Sequence, residues 1–278
     1  MTAMLSLGFS PCPNDTFIFH ALTHGLLELG GLSFDKPELA DVETLNSWAM
    51  AGRLDVTKLS FHALGHVLDR YVLLDAGSAL GRGCGPLLVT RQGARFDPAT
   101  ATIAIPGRYT TAAMLLQLYA PSPQKTRVMV FDRIMAAVAA GEVDGGVIIH
   151  ESRFTYQDHG LVCVQDLGQW WEEHSGLPIP LGGIVARRSL GREKIALVEK
   201  AVRESVRYGF AHPEASRPYI KEHAQELAPE IIQNHIGLYV NSFSESLGDQ
   251  GRRAVDFFLE QGRAKGLFGP GKSPFYAE

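Results

Sequence analysis

DGGVIIHESRFTY, residues 144–156, is the stretch on which the reading of the chain turns. Its run 145–149 is apolar and partly β-branched, the composition of a strand covered on both faces, and it stops at His150, Glu151, Ser152 and Arg153. Such a strand delivers an imidazole from its C-terminal end. In open α/β sheets that end is where ligands bind, because the departing loops converge on a crevice. His150 is therefore the first candidate for chemistry. The competing reading of this stretch alone is a structural histidine hydrogen-bonded at a strand end.

Working backwards, the pattern predicts strands at 102–105 and 127–130 and helices at 112–119 and 133–140, an α/β alternation that the 145–149 strand continues. Thr110 and Thr111 fall at a helix start, where two hydroxyls, backbone N–H groups and the helix dipole suit an anion; simple threonine capping is the alternative. A last short strand is expected at 160–164, followed by a short helix with Trp170 and Trp171. The Gly/Pro-rich passage LPIPLGG at 177–183 reads as a return crossing into a first lobe.

That first lobe begins with a strand at 5–8, a stiff turn through Pro11 and Pro13, and a helix from Phe17. Asn14, Asp15 and Thr16 are natural helix caps there. Strands near 32–34 and 54–59 flank a helix at 41–51, whose apolar face carries Val42, Leu45, Trp48 and Ala49. The second of these strands delivers Thr57, Lys58, Leu59 and Ser60 to the start of a helix at 61–70. Lys58 and Ser60 offer a positive charge and an adaptable hydroxyl, a useful pair for a carboxylate, or else a solvent-facing lysine and a helix cap. The glycines of 77–85 lack the strand-then-helix context of a nucleotide fingerprint and read as a connection or a close backbone approach. After residue 187 the pattern is helical, with no catalytic constellation evident.

Composition excludes several classes. A formal charge of −4 and no basic stripe argue against nucleic acid as a partner. No apolar run approaches the ~20 residues that cross a bilayer, and the N-terminus has no export signal, so a cytoplasmic protein without membrane insertion is expected. Three dispersed cysteines suggest neither disulfides nor a thiolate metal site. The pairs His20/His24 and His62/His66 sit at i, i+4 but are not H-E-x-x-H and have no evident third ligand, so no metal and no cofactor is expected.

The signals at Asn14/Asp15, Lys58/Ser60, Thr110/Thr111 and His150 all follow strands. They would converge if two α/β lobes, a large one of residues 1–93 plus 187–278 and a small one of 94–186, faced each other across a central cleft with two hinge crossings.

SPCPNDTF at 10–17, TKLS at 57–60, GRYTT at 107–111, IIHESRFTY at 148–156 and LPIPLGG at 177–183 together resemble the 1,4-dihydroxy-6-naphthoate synthase family of the futalosine route to menaquinone. The resemblance runs along essentially the whole chain. It implies a two-lobed fold like the type II periplasmic binding proteins, and a lyase that splits cyclic dehypoxanthinylfutalosine into 1,4-dihydroxy-6-naphthoate and a three-carbon fragment, expected to be dihydroxyacetone. It also implies that His150 is the proton acceptor, and that Lys58, Leu59, Ser60, Thr110 and Thr111 contact a small carboxylate substrate. From their place after a strand, Asn14 and Asp15 are expected as further cleft residues, and Glu151 or Asp15 is expected to orient the imidazole. The alternatives are a non-catalytic carboxylate-binding protein and the related chorismate dehydratase. The first lacks the expected export signal, and the SPCPNDTF and HESRFTY segments look like the synthase rather than the second.

Overall fold

The computed structural model describes residues 4–120, 125–224 and 228–276; of the expected mature N-terminus, residues 1–3 lie outside them. In chain order the first elements are β1 (Leu7–Phe9), α1 (Pro13–Thr23), β2 (Glu38–Leu39), α2 (Val42–Ala51), β3 (Val56–Ser60), α3 (Phe61–Val67), β4 (Tyr71–Leu73) and β5 (Ala79–Gly81). There follow β6 (Leu87–Arg91), β7 (Thr102–Ile105), α4 (Thr111–Tyr119), β8 (Lys125–Val128), α5 (Phe131–Ala140), β9 (Gly145–Ile148), α6 (Ser152–Thr155), β10 (Leu161–Asp166) and α7 (Leu167–Ser175). The chain then runs through β11 (Ile179–Arg187), α8 (Arg192–Ala211), α9 (Arg217–His223), α10 (Pro229–Tyr239), α11 (Ser242–Glu245) and α12 (Gly248–Ala264).

Contacts divide the chain into two compact units, Met1–Gly81 with Pro180–Glu278, and Arg82–Ile179. The crossings fall earlier than the sequence pattern suggests, near residues 81 and 179 rather than 93 and 187. Strand pairing explains the difference: β6 bonds to β9 and β10, so it belongs with the second unit, whereas β11 is a long strand that pairs β3 and β4 of the first.

The first unit is built on a mixed sheet of order β2-β1-β3-β11-β4, with β5 also on β11. β1, β2 and β3 run parallel, and β11 is antiparallel to both β3 and β4. Phe9, Phe19, Val56, Ile184, Val198 and Val206 belong to its buried core, which α1 and α8 help to close. α2 shows why these residues form a helix here: Asp41 accepts from the N–H groups of Glu43 and Thr44 at its start, and Gly52 ends it in the left-handed conformation.

The second unit holds a mixed sheet of order β10-β6-β9-β7-β8, around Val89, Ala104, Ile134, Val138 and Ile148. β9 is buried throughout, as its unbroken apolar composition requires, while β8 is exposed at the sheet edge and begins two residues before the expected position. The glycines before β6 serve close backbone approach: a Cβ on Gly85 would lie 2.2 Å from the Cα of Gly168, at the start of α7. Trp171 on that helix is fully buried and donates to the carbonyl of Pro178 at 3.3 Å. Trp170 instead meets Tyr119 edge-on.

Candidate active site

In the first unit, the turn after β1 and the end of β3 assemble a buried polar cluster. α1 starts at Pro13, whose missing N–H costs nothing in a first turn, so Asn14 and Asp15 lie inside the helix and do not cap it; Cys12 holds the cap position. Asp15 is 1% exposed, which requires its charge to be compensated. It accepts from Lys58 Nζ and from Asn14 Nδ2 (2.8 Å) on one oxygen, and from Ser10 Oγ (2.8 Å) and Ser10 N (3.2 Å) on the other. Lys58 therefore faces a buried carboxylate rather than solvent, and both side chains of the ion pair are nearly inaccessible.

Lys58 and Ser60 share one face of β3 by the two-residue strand period. Opposite Ser60 on β11 stands Gly182, where a Cβ would lie 2.8 Å from the Leu59 carbonyl and 3.2 Å from Lys58 Cε, so glycine permits the close approach of the β3 backbone and leaves the lysine stem undisturbed. Leu59 itself is wholly buried. Ser60 precedes α3 but makes no side-chain cap bond. It is clamped by Asn46 of α2: Ser60 N donates to Asn46 Oδ1 at 2.9 Å, and Asn46 Nδ2 donates to Ser60 Oγ at 3.2 Å.

Two members of this cluster escaped the sequence reading. Asn46 is completely buried on α2, and His235 is completely buried on α10, where its Nε2 lies 3.0 Å from Asn14 Oδ1. Both carry the same signal, a polar residue inside an apolar helical stripe: Asn46 four residues after Val42 and three before Ala49, His235 flanked by Ile231, Ile232 and Tyr239.

In the second unit, Thr110 occupies the cap of α4. Its Oγ1 accepts from Ala113 N at 3.2 Å and donates to Gly107 O at 2.9 Å, which locks the GRYTT turn onto the helix start; Thr111 is the first helical residue, and both are buried. The positive end of the α4 dipole thus lies beside two hydroxyl side chains.

His150 stands two residues beyond the end of β9 with φ of 58°, the one non-glycine with positive φ among the described residues. Left-handed backbone costs a β-carbon residue free energy and concentrates at functional sites. Its half-buried ring meets Phe131 edge-on, centroids 5.0 Å apart. The following turn is anchored by Arg153, which bonds to the carbonyl of Gly85 and to Asp166 at 3.1 Å; Asp166 in turn caps α7. The imidazole therefore sits on a segment fixed at both ends.

His20 lies 4.5 Å from His24 between ring centroids, burial and the neighbouring histidine both push its pKa down, and no group of three or more potential ligands occurs among the described residues. Burial pushes the Cys84 thiol up to about 12, so it is no nucleophile at neutral pH. No helix among the described residues is long and apolar enough to cross a membrane.

Residues 5–264 match the protein-family model for menaquinone biosynthesis. A 1,4-dihydroxy-6-naphthoate synthase of Thermus thermophilus is 53% identical over 272 residues, covering 98% of each chain. One of Streptomyces coelicolor is 48% identical over 268 residues, 95% of this chain and 94% of that protein. The crystal structure of a protein from Archaeoglobus fulgidus superposes with a TM-score of 0.89 at 35% identity, covering 95% of this chain and 98% of that one. A Candida albicans protein described as having the generic periplasmic binding protein fold aligns with a TM-score of 0.66 at 13% identity, over 98% of this chain and 93% of its own. The fold is periplasmic-binding-protein-like, α/β with two mixed sheets.

Proposed function

We propose, because the chain belongs to the menaquinone-biosynthesis family, that it is a carbon–carbon lyase of the 1,4-dihydroxy-6-naphthoate synthase type. Its substrate is cyclic dehypoxanthinylfutalosine, and its products are 1,4-dihydroxy-6-naphthoate and dihydroxyacetone. The observation that carries this reading is the near-full-length identity to two proteins named for that activity. A biosynthetic role of this kind supports a cytoplasmic location.

The proposal assigns roles to residues of both units. Thr110, Thr111 and the start of α4 take the substrate carboxylate and orient the fused rings; the fixed GRYTT turn supports this, since a preformed anion site costs little to organise. His150, in its neutral form, removes the proton that starts bond cleavage, and aromatisation of the second ring supplies driving force. Lys58 and Ser60 stabilise negative charge developing on oxygen; of the three ammonium donors of Lys58, one is directed to Asp15. Asp15, with its oxygens on Lys58, Asn14 and Ser10, serves Lys58 rather than the imidazole.

The test is to incubate the purified protein with cyclic dehypoxanthinylfutalosine and follow the naphthoate by chromatography and mass spectrometry. His150→Gln should remain folded and lose roughly 10²–10⁴ in turnover. Near wild-type turnover in that variant overturns the assignment of the base. Binding without turnover by the wild type supports the solute-binding alternative that the fold allows, and dehydration of chorismate supports the sister enzyme.

A further inference from the structure

We infer that His235, on α10, is a positioning residue for Lys58, acting through Asn14 and Asp15; the inference rests on the lyase reading for the assignment of Lys58 to the substrate. His235 and Lys58 are far in sequence from Asn14 and Asp15, but the four side chains form one continuous buried chain. His235 Nε2 lies 3.0 Å from Asn14 Oδ1, Asn14 Nδ2 lies 2.8 Å from Asp15 Oδ1, and that same oxygen holds the Lys58 ammonium. His235, Asn14, Asp15 and Lys58 are between 0% and 7% exposed, so water does not substitute for a lost link.

The chain has a fixed polarity. Asp15 is an acceptor at every contact, so Asn14 must present its NH₂ to the carboxylate and its carbonyl oxygen to His235. His235 must then donate from Nε2. If that donor is lost, the Asn14 carbonyl is left buried without it, and the amide is free to rotate and turn its oxygen on the carboxylate. Either change moves Asp15, which is the counter-charge that sets where the Lys58 head stands. A residue on a C-terminal helix thereby governs a group delivered by β3, and Ser10, on the other oxygen of Asp15, keeps the carboxylate from following the lysine instead.

The test uses the full chain with His235→Phe, which keeps ring volume without a donor, and His235→Gln, which keeps a donor near the ε position. Steady-state kinetics with cyclic dehypoxanthinylfutalosine are paired with the Lys58 ammonium signal in nitrogen-15 lysine-labelled, ligand-free protein, assigned by its loss in Lys58→Met. The phenylalanine variant should lower kcat/KM roughly 10- to 100-fold, mainly through KM, and shift or broaden the Lys58 signal. The glutamine variant should stay within a few-fold of wild type with the signal retained. Equal losses in the two variants, or an unchanged Lys58 signal in the phenylalanine variant, overturn the inference. Should His235→Phe fail to fold, Asn14→Leu breaks the chain one link nearer the lysine and must move the same signal; an unmoved signal overturns it. An inactive wild type defeats the lyase reading instead, and the ammonium signal still judges the coupling by itself.

Discussion

The buried pair Lys58–Asp15 predicts an asymmetry between its two halves. Both side chains are almost inaccessible, 6% and 2% exposed, so removal of either partner strands the other in a poor solvent for charge. The two residues are not equally supported, however. With Lys58 replaced by methionine, Asp15 keeps the donors of Asn14 Nδ2, Ser10 Oγ and Ser10 N, and the loss is that of one charge-assisted bond, about 1.5–3 kcal/mol. With Asp15 replaced by leucine, the Lys58 ammonium loses its counter-ion, a cost of about 3–5 kcal/mol. The buried Ser10 N–H loses its carboxylate acceptor at the same time, adding about 1–3 kcal/mol. Asp15→Leu should therefore destabilise the protein by at least ~1 kcal/mol more than Lys58→Met. Urea unfolding followed by circular dichroism measures both, compared at equal m-values. If Lys58→Met costs as much as Asp15→Leu or more, the three supporting donors do not compensate the carboxylate, and the reasoning fails.

His150→Gly relieves a left-handed backbone at φ of 58° while adding freedom to the unfolded chain, so stability should stay level or rise by up to ~1 kcal/mol as turnover is lost; a melting experiment in which the glycine variant loses more than that shows the Phe131 contact outweighs the strain. Thr110→Val removes the cap bond to Ala113 and the bond to Gly107, and should cost ~1–2 kcal/mol in thermal unfolding together with a raised KM. Burial first, and His24 second, hold the pKa of His20 below its ordinary 6.5, so the unfolded chain binds more protons in that window. The stability tied to neutral His20 is complete above about pH 6.5 and declines as pH falls below it, so the melting temperature should drop on acidification, and His20→Gln should show a smaller drop.

What could be read in the sequence was set by local pattern. β7 lies at Thr102–Ile105 where the apolar run put it, and α2 is delimited by the Asp41 and Gly52 that precede and follow its apolar face. His150 was singled out because an apolar run ended at it, and a residue leaving a buried strand must go somewhere polar. Local pattern misplaced the start of α1, since cap-type residues can equally occupy a first turn once proline takes its first position. β5 was hidden among glycines, where composition speaks for a loop. The polar cluster was illegible for a different reason. Lys58 meets Asp15 across 43 residues of sequence, and His235 meets Asn14 across 221, so no window contains both ends of either contact. The one available signal, a polar residue in an apolar stripe at Asn46 and at His235, marks a buried polar group without naming its partner.

The second unit is an insertion between two halves of the first, and this sets an order on synthesis. As the chain leaves the ribosome, β1 and β3 are made before the second unit, but β11, the other neighbour of β3, follows about 120 residues later. Every strand of the inserted sheet has emerged by residue 166, so that unit can close before the first has its missing strand. The unit that starts first is thus the last to be completed. From the completion of β3 until β11 is made it offers one open edge of a buried strand, and chaperone attention and mis-pairing should fall there rather than on the newest residues.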